Sequence, residues 1–166
     1  NVSIIITGIK GDEYLGEYIK QDDTLPIINL IGKTNILELA ALYSRCKAVI
    51  GNDGGSMHLA DLVGVPVISI VPGLEYPDSI EPWNSIKYSI RHKEACSPCY
   101  SFEKCPRGDN KCMQNISVKD VAGMYSNVLQ DLESGICSKN NVRSFKIIRK
   151  GHKISFSEIE RAIREQ

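Results

Sequence analysis

Apolar residues along this chain fall in short runs separated by polar turns. Val2 to Thr7 is rich in β-branched residues and predicts a strand. Pro26 to Ile31, Lys47 to Ile50 and Val67 to Val71 predict three more. Stripes at helical spacing lie between them. Leu15, Tyr18 and Ile19 follow a capping Asp12. Ile36, Leu39, Ala40 and Tyr43 follow Asn35 and Glu38, which have the spacing of a capping box. Ser56 to Val63 predicts a third helix, stopped by Gly64 with Pro66 beyond. The runs "AVI" and "VPVISIV" are apolar on both faces, as strands of a parallel sheet covered by helices must be. Strands alternating with short helices predict parallel βαβ units and an α/β fold.

Ser85 to Ile90 alternates and predicts a fifth strand towards a sheet edge. Residues 91–115 are polar, Cys-rich and irregular. Ser117 and Asp120 then open a helix with the stripe Val118, Val121, Ala122, Tyr125, Leu129 and Leu132. Composition shifts after Gly135: a hairpin is expected around Lys150-Gly151, then a helix capped by Ser155 and Glu158. This divides the chain into a domain over 1–134, with the Cys-rich loop inside it, and a hairpin-helix extension over 135–166. The chain opens inside a strand with no signal peptide, so a fragment of a longer protein is expected. The longest apolar run, Leu62 to Val71, is broken by Gly64, Pro66 and Ser69 and is too short to span a bilayer.

Composition narrows the function. Among 166 residues, 20 Lys and Arg balance 20 Asp and Glu. Zero net charge argues against a general nucleic-acid binder. Without a secretory signal the expected setting is cytoplasmic, where disulfides are disfavoured. Cys46 and Cys137 fall at helical positions and are expected to pack as small hydrophobes.

The candidate chemistry sits where strands meet helices. In "VIGNDGGSMHLADLVGVPV" a predicted strand ends at Gly51-Asn52-Asp53 and a helix begins near Gly55 or Ser56. The first amides of a helix lack partners and carry partial positive charge. Glycines leave that end open to close approach, so Gly54, Gly55, Ser56 and His58 form a candidate phosphate or pyrophosphate cradle. Asp53, at the strand tip, is placed to accept hydrogen bonds from sugar hydroxyls. The plainer alternative is that Asp53 or Ser56 only caps the helix. The stretch matches neither a P-loop nor a dinucleotide fingerprint. "LIGKTN" offers a second such turn, with Lys33 and Thr34; Thr7 and Gly8 offer a third. In one parallel sheet these tips would point the same way.

"GKTNILELAALYSRCKAVIGNDGGSMHLADLVGVPVISI" resembles the C-terminal half of family-9 glycosyltransferases, the ADP-heptose:lipopolysaccharide heptosyltransferase group. The shared pattern is a Gly-Lys-Thr turn, a Leu-rich helix, a strand, Asn-Asp-x-Gly-x-x-His and Gly-x-Pro. "ACSPCY" with the later "CP" and "CMQNIS" resembles a Cys-rich segment of many members. The resemblance runs from about Val2 to Leu132. It implies a Rossmann-like parallel sheet flanked by helices, the donor-binding half of a two-domain GT-B enzyme, with that half's first strand and helix preceding Asn1. It implies an inverting transfer without an obligatory metal, from a nucleotide sugar to a glycan or glycolipid acceptor in lipopolysaccharide or other surface-glycan biosynthesis. Peripheral association with the inner face of the inner membrane is implied for the parent. By resemblance, Asp53 holds sugar hydroxyls, while Gly54, Gly55, Ser56, His58, Lys33 and Thr34 lie at the phosphates. The general base belongs to the other half, so no catalytic residue is expected here and the isolated chain is expected to be inactive. Gly54 departs from the family's Ser or Thr, and "VPGLEYPDSIEPW" departs from its Gly-Pro-Thr-like turn. Trp83 in that loop is expected to anchor it or to stack on a base.

Cys96, Cys99, Cys105 and Cys112 remain. A Cys-x2-Cys knuckle followed by two further thiols fits a tetrahedral structural zinc in part. Two disulfides or free thiols fit equally, and an iron–sulfur cluster less well. The competing function is therefore a zinc-stabilised module contacting protein or nucleic acid. The basic tail, with Arg143, Lys146, Arg149, Lys150 and Lys153, lends it support.

Overall fold

The computed structural model describes residues 3–19, 26–85 and 88–135, and the backbone of 144–150 and 153–159. The chain divides into two compact units, Asn1–Leu42 and Tyr43–Gln166.

In the first unit, β1 (Ile4–Ile6) pairs in parallel with β2 (Ile27–Asn29), Ile4 opposite Ile27. A 3-10 turn over Lys10–Asp12 leads into α1 (Glu13–Ile19). Asp12 does not cap α1: its carboxylate accepts from the Ile9 amide at 3.1 Å and closes the turn before the helix. α2 (Ile36–Arg45) crosses the unit boundary. Its capping box forms. Asn35 Oδ1 accepts from the Leu37 and Glu38 amides, and Glu38 Oε2 accepts from the Asn35 amide at 2.8 Å. Two orphan amides of the first turn and the cap's own amide are thereby satisfied.

In the second unit, β3 (Val49–Asn52) pairs in parallel with β4 (Val67–Ile70). α3 (Gly55–Leu62) crosses between them and ends as the sequence predicts, with Gly64 in the left-handed region at φ 78°. The short α4 (Lys111–Gln114) interrupts the irregular region before α5 (Val118–Glu133). Ser117 and Asp120 form the expected box at the start of α5. The α5 face is rotated from the expected stripe. Val128 is fully buried with Ile68 and Tyr88, and Met124, Tyr125 and Leu132 pack around them, whereas Val118 is 87% exposed. The Tyr88 hydroxyl donates to Asp131 at 2.8 Å, which ties the segment after β4 to the polar side of α5.

Three further expectations are corrected. Among the described residues the four strands form two parallel pairs, one in each unit, and no single hydrogen-bonded sheet. The apolar pattern specifies which residues are strand and which faces are buried, but not which strands are neighbours. Among the described residues of the expected fifth strand, pairing is limited to a parallel bridge of Ile90 with Ile70, and the Tyr88 amide donates to the Ser85 carbonyl at 2.8 Å. Further on, β5 (Ser144–Lys150) and β6 (Lys153–Ile159) pair antiparallel across the expected hairpin. Ser155 and Glu158 lie within β6, so no helix starts at them; residues 160–166 lie outside the described residues. Among the described residues no helix is long and apolar enough to cross a membrane.

Candidate functional site

The turns after β1 and β2 are joined: the Leu30 amide donates to Ile6 and the Gly32 amide to Gly8, at 2.9 Å each. Gly32 sits at φ 67°, where a Cβ would also lie 3.2 Å from the Lys10 Cα, so glycine is required for both conformation and space. Lys33 folds back, its ammonium donating to the Asn29 carbonyl at 3.0 Å. Thr34 is half-buried beside it. The structure thus brings Thr7, Gly8 and the Lys33-Thr34 turn together in the first unit. Asp53, Gly54, Gly55, Ser56 and His58 gather separately in the second.

At the β3 tip the Asp53 amide donates to the Ile70 carbonyl at 3.0 Å, which holds the residue beside the end of β4. α3 starts without any side-chain cap; Gly54 is its N-cap, and its carbonyl accepts from Met57. Neither Asp53 nor Ser56 serves as the simple cap that the plainer alternative required. A Cβ on Gly54 or Gly55 would meet nothing within 4 Å, so the helix end faces open space. Asp53 Oδ1 is buried and has no hydrogen-bond partner, and the side chain is only 18% exposed. His58 Nε2 lies 3.9 Å from that oxygen, close enough for electrostatic attraction and too far for a hydrogen bond. Burial pushes the Asp53 carboxyl above its ordinary value. His58 pulls against that rise, Glu81 adds to it, and Arg91 and the Gly54 amide oppose it without cancelling it.

The chain after β4 completes the surroundings. Glu81 is 3% exposed and forms an ion pair with Arg91. Burial disfavours its charge, but the Arg91 hydrogen bond and nearby amides outweigh that and hold the carboxyl below its ordinary value. Arg91 Nη1 also donates to the Pro72 and Glu75 carbonyls, at 3.0 Å each. Asp61 of α3 accepts from the Asn84 amide and side chain, at 3.0 Å each, and pins the far end of the loop. The loop's apolar anchor is the fully buried Pro82; Trp83 is 47% exposed. Glu81 and Arg91 were missed in the sequence. Their one signal is a pair of opposite charges flanking the apolar run before the Cys-rich stretch.

That stretch docks on the same loop. The Cys99 and Tyr100 amides donate to the Gly73 and Leu74 carbonyls, and a Cβ on Gly73 would lie 3.4 Å from that of Cys112. Asn110 and Arg107 amides aimed at Cys105 hold its thiol below the ordinary value. Cys96, Cys99, Cys105 and Cys112 are free thiols, and among the described residues no three His, Cys, Asp or Glu side chains are arranged to hold a metal ion.

With this geometry in place, a comparison with protein families matches residues 2–107 to the model described as glycosyltransferase family 9 (heptosyltransferase). The chain belongs to glycosyltransferase family 9. The match contains the β3–α3 turn, the loop after it and the first three clustered cysteines. Lipooligosaccharide heptosyltransferase 2 of Haemophilus influenzae is 39% identical over 74 residues, 41% of this chain and 21% of that protein. Lipopolysaccharide heptosyltransferase 2 of Salmonella typhimurium is 28% identical over 107 residues, 64% of this chain and 28% of that protein. The chain thus spans a minor part of the length of these curated relatives. Among solved structures, a family-9 glycosyltransferase of Veillonella parvula superposes with a TM-score of 0.62 at 22% identity, over 78% of this chain and 37% of that one. The dodecameric iron-containing heptosyltransferase TibC, solved with ADP-D-β-D-heptose, superposes with a TM-score of 0.54 at 22% identity, over 66% and 32%. Both show the shared fold.

Proposed function

We propose that this chain is the nucleotide-sugar-binding part of an inverting family-9 glycosyltransferase, with a donor resembling ADP-heptose. The carrying observation is the β3–α3 turn: a buried Asp53 oxygen without a partner stands beside an uncapped helix N-terminus facing open space. A buried acceptor left unpaired costs about 1–3 kcal/mol, and a ligand hydroxyl recovers it. The Gly55 and Ser56 amides and His58 receive the pyrophosphate, whose charge grows as it leaves. Lys33 and Thr34, in the first unit, are phosphate-binding candidates by family resemblance alone. The acceptor hydroxyl attacks the anomeric carbon in line, and a general base from outside this chain takes its proton. The acceptor is a lipopolysaccharide core or a comparable surface glycan, as the names of the curated relatives suggest. The chain alone transfers no sugar in this reading, and its four clustered cysteines shape the loop after β4 without taking part in transfer.

Calorimetric titration with ADP, UDP, GDP and CDP tests the reading. One nucleoside diphosphate is expected to bind saturably, and less tightly to Asp53→Ala and His58→Ala. Equal affinity of both variants and the unaltered chain would remove the turn from the site.

A further inference from the structure

The Glu81–Arg91 pair has no part in the chemistry just described, yet it is among the most deeply placed charged pairs of the second unit. Arg91 contacts Glu81 through Nε, the Pro72 and Glu75 carbonyls through Nη1, and the Tyr76 carbonyl at 3.4 Å through Nη2. One guanidinium therefore collects three main-chain carbonyls of the loop after β4 and one buried carboxylate. Only a rigid planar fork reaches so many acceptors at once. The loop leaves the sheet two residues beyond Ile70, whose carbonyl takes the Asp53 amide. Its start is thus fixed to the same strand end that carries the candidate site.

We propose that Arg91, held by Glu81, is a positioning residue for the Asp53 tip: it fixes the chain from Pro72 to Tyr76, which leaves the strand end that binds the Asp53 amide, as one wall of the donor site. The inference rests on the donor reading above. Three charged side chains act on Asp53: His58 from α3, and Glu81 and Arg91 from the chain after β4. Glu81 works to protonate Asp53, while His58 and Arg91 work to keep it ionised. The two opposed charges of the pair thus act on a carboxylate whose buried Oδ1 has no hydrogen-bond partner.

The test uses the whole chain. Carbon-detected NMR follows the Asp53 carboxyl through an acid titration without ligand, and calorimetry follows ADP binding. Glu81→Gln removes a negative neighbour and leaves Arg91 in place, so Asp53 is expected to titrate at lower pH than in the unaltered chain. Arg91→Lys keeps the charge but cannot reach all four acceptors. Asp53 is expected to titrate near its original position while ADP binds about tenfold more weakly. A pair that only stabilises the fold would lower the melting temperature and leave the Asp53 titration unmoved in Glu81→Gln; that result overturns the proposal. So does Arg91→Lys with unchanged ADP affinity. If Arg91→Lys does not fold, Glu81→Gln with Arg91→Met removes both charges without stranding one. The same tenfold loss is expected there, and full affinity refutes the clamp. Failure of the donor reading looks different: ADP does not bind the unaltered chain, while the ligand-free Asp53 titration still moves in Glu81→Gln.

Discussion

Asp53→Asn should stabilise the chain at neutral pH while weakening nucleotide-sugar binding. The substitution keeps the shape of the side chain and removes its charge. In the folded chain that charge is opposed by burial and by Glu81, and Oδ1 finds no partner. Asn leaves an unpaired polar atom at the same place, so the gain is confined to the cost of holding a buried charge, which exceeds that of a neutral group by on the order of 1–3 kcal/mol. The side chain retains 18% exposure, which places the cost near the lower end, about 1 kcal/mol. For a chain of 166 residues that is a rise of roughly 2–4 °C in Tm. The sign with pH follows from the raised carboxyl value. The folded chain holds the Asp53 proton more firmly than the unfolded chain. Asp53 therefore contributes stability below its ordinary value, and that contribution is lost as pH rises through the folded one. The gain from Asn should be complete above this window and should vanish below the ordinary Asp value of about 3.9. Thermal unfolding followed by circular dichroism, at neutral pH and again in acid, measures both limbs. A loss of stability at neutral pH, or a gain that does not change with pH, would refute the reasoning.

Three further substitutions probe the frame. Gly32→Ala forces a Cβ into the left-handed region and towards the Lys10 backbone, and should cost about 1–2 kcal/mol in chemical denaturation. Asn35→Ala removes the acceptor of two first-turn amides of α2 and should cost about 1 kcal/mol, with Asn35→Asp retaining most of it. Gly54→Thr points its side chain into open space, so stability should stay within about 0.5 kcal/mol. In calorimetry it should bind ADP more tightly, because the added hydroxyl offers one more hydrogen-bond donor beside the helix N-terminus that receives the pyrophosphate.

Much of the fold was legible because its signals are local. The Asn35–Glu38 and Ser117–Asp120 boxes, the Gly64 stop and the apolar runs each act within a few residues, and each forms near its predicted place. Strand neighbours, and the rotation of α5 onto Val128, depend on contacts distant in sequence that no period records. The segment 85–90 shows the limit of alternation: Tyr88 packs in the core and Ile90 makes a single bridge, while Ser85 Oγ accepts from the Val67 amide at 3.0 Å. At the site, Asp53 and the glycines were legible because a strand must end before a helix begins. Arg91 was not, because its partners lie 10–19 residues away and three of them are main-chain carbonyls, which carry no sequence signature.

The central claim is that the β3–α3 turn receives a donor's pyrophosphate. The most direct measurement is amide NMR of the chain during titration with ADP. The account predicts saturable shifts concentrated at Gly54, Gly55, Ser56 and His58, abolished by Asp53→Ala together with His58→Ala. Saturable binding with its shifts elsewhere and this turn unmoved would contradict it.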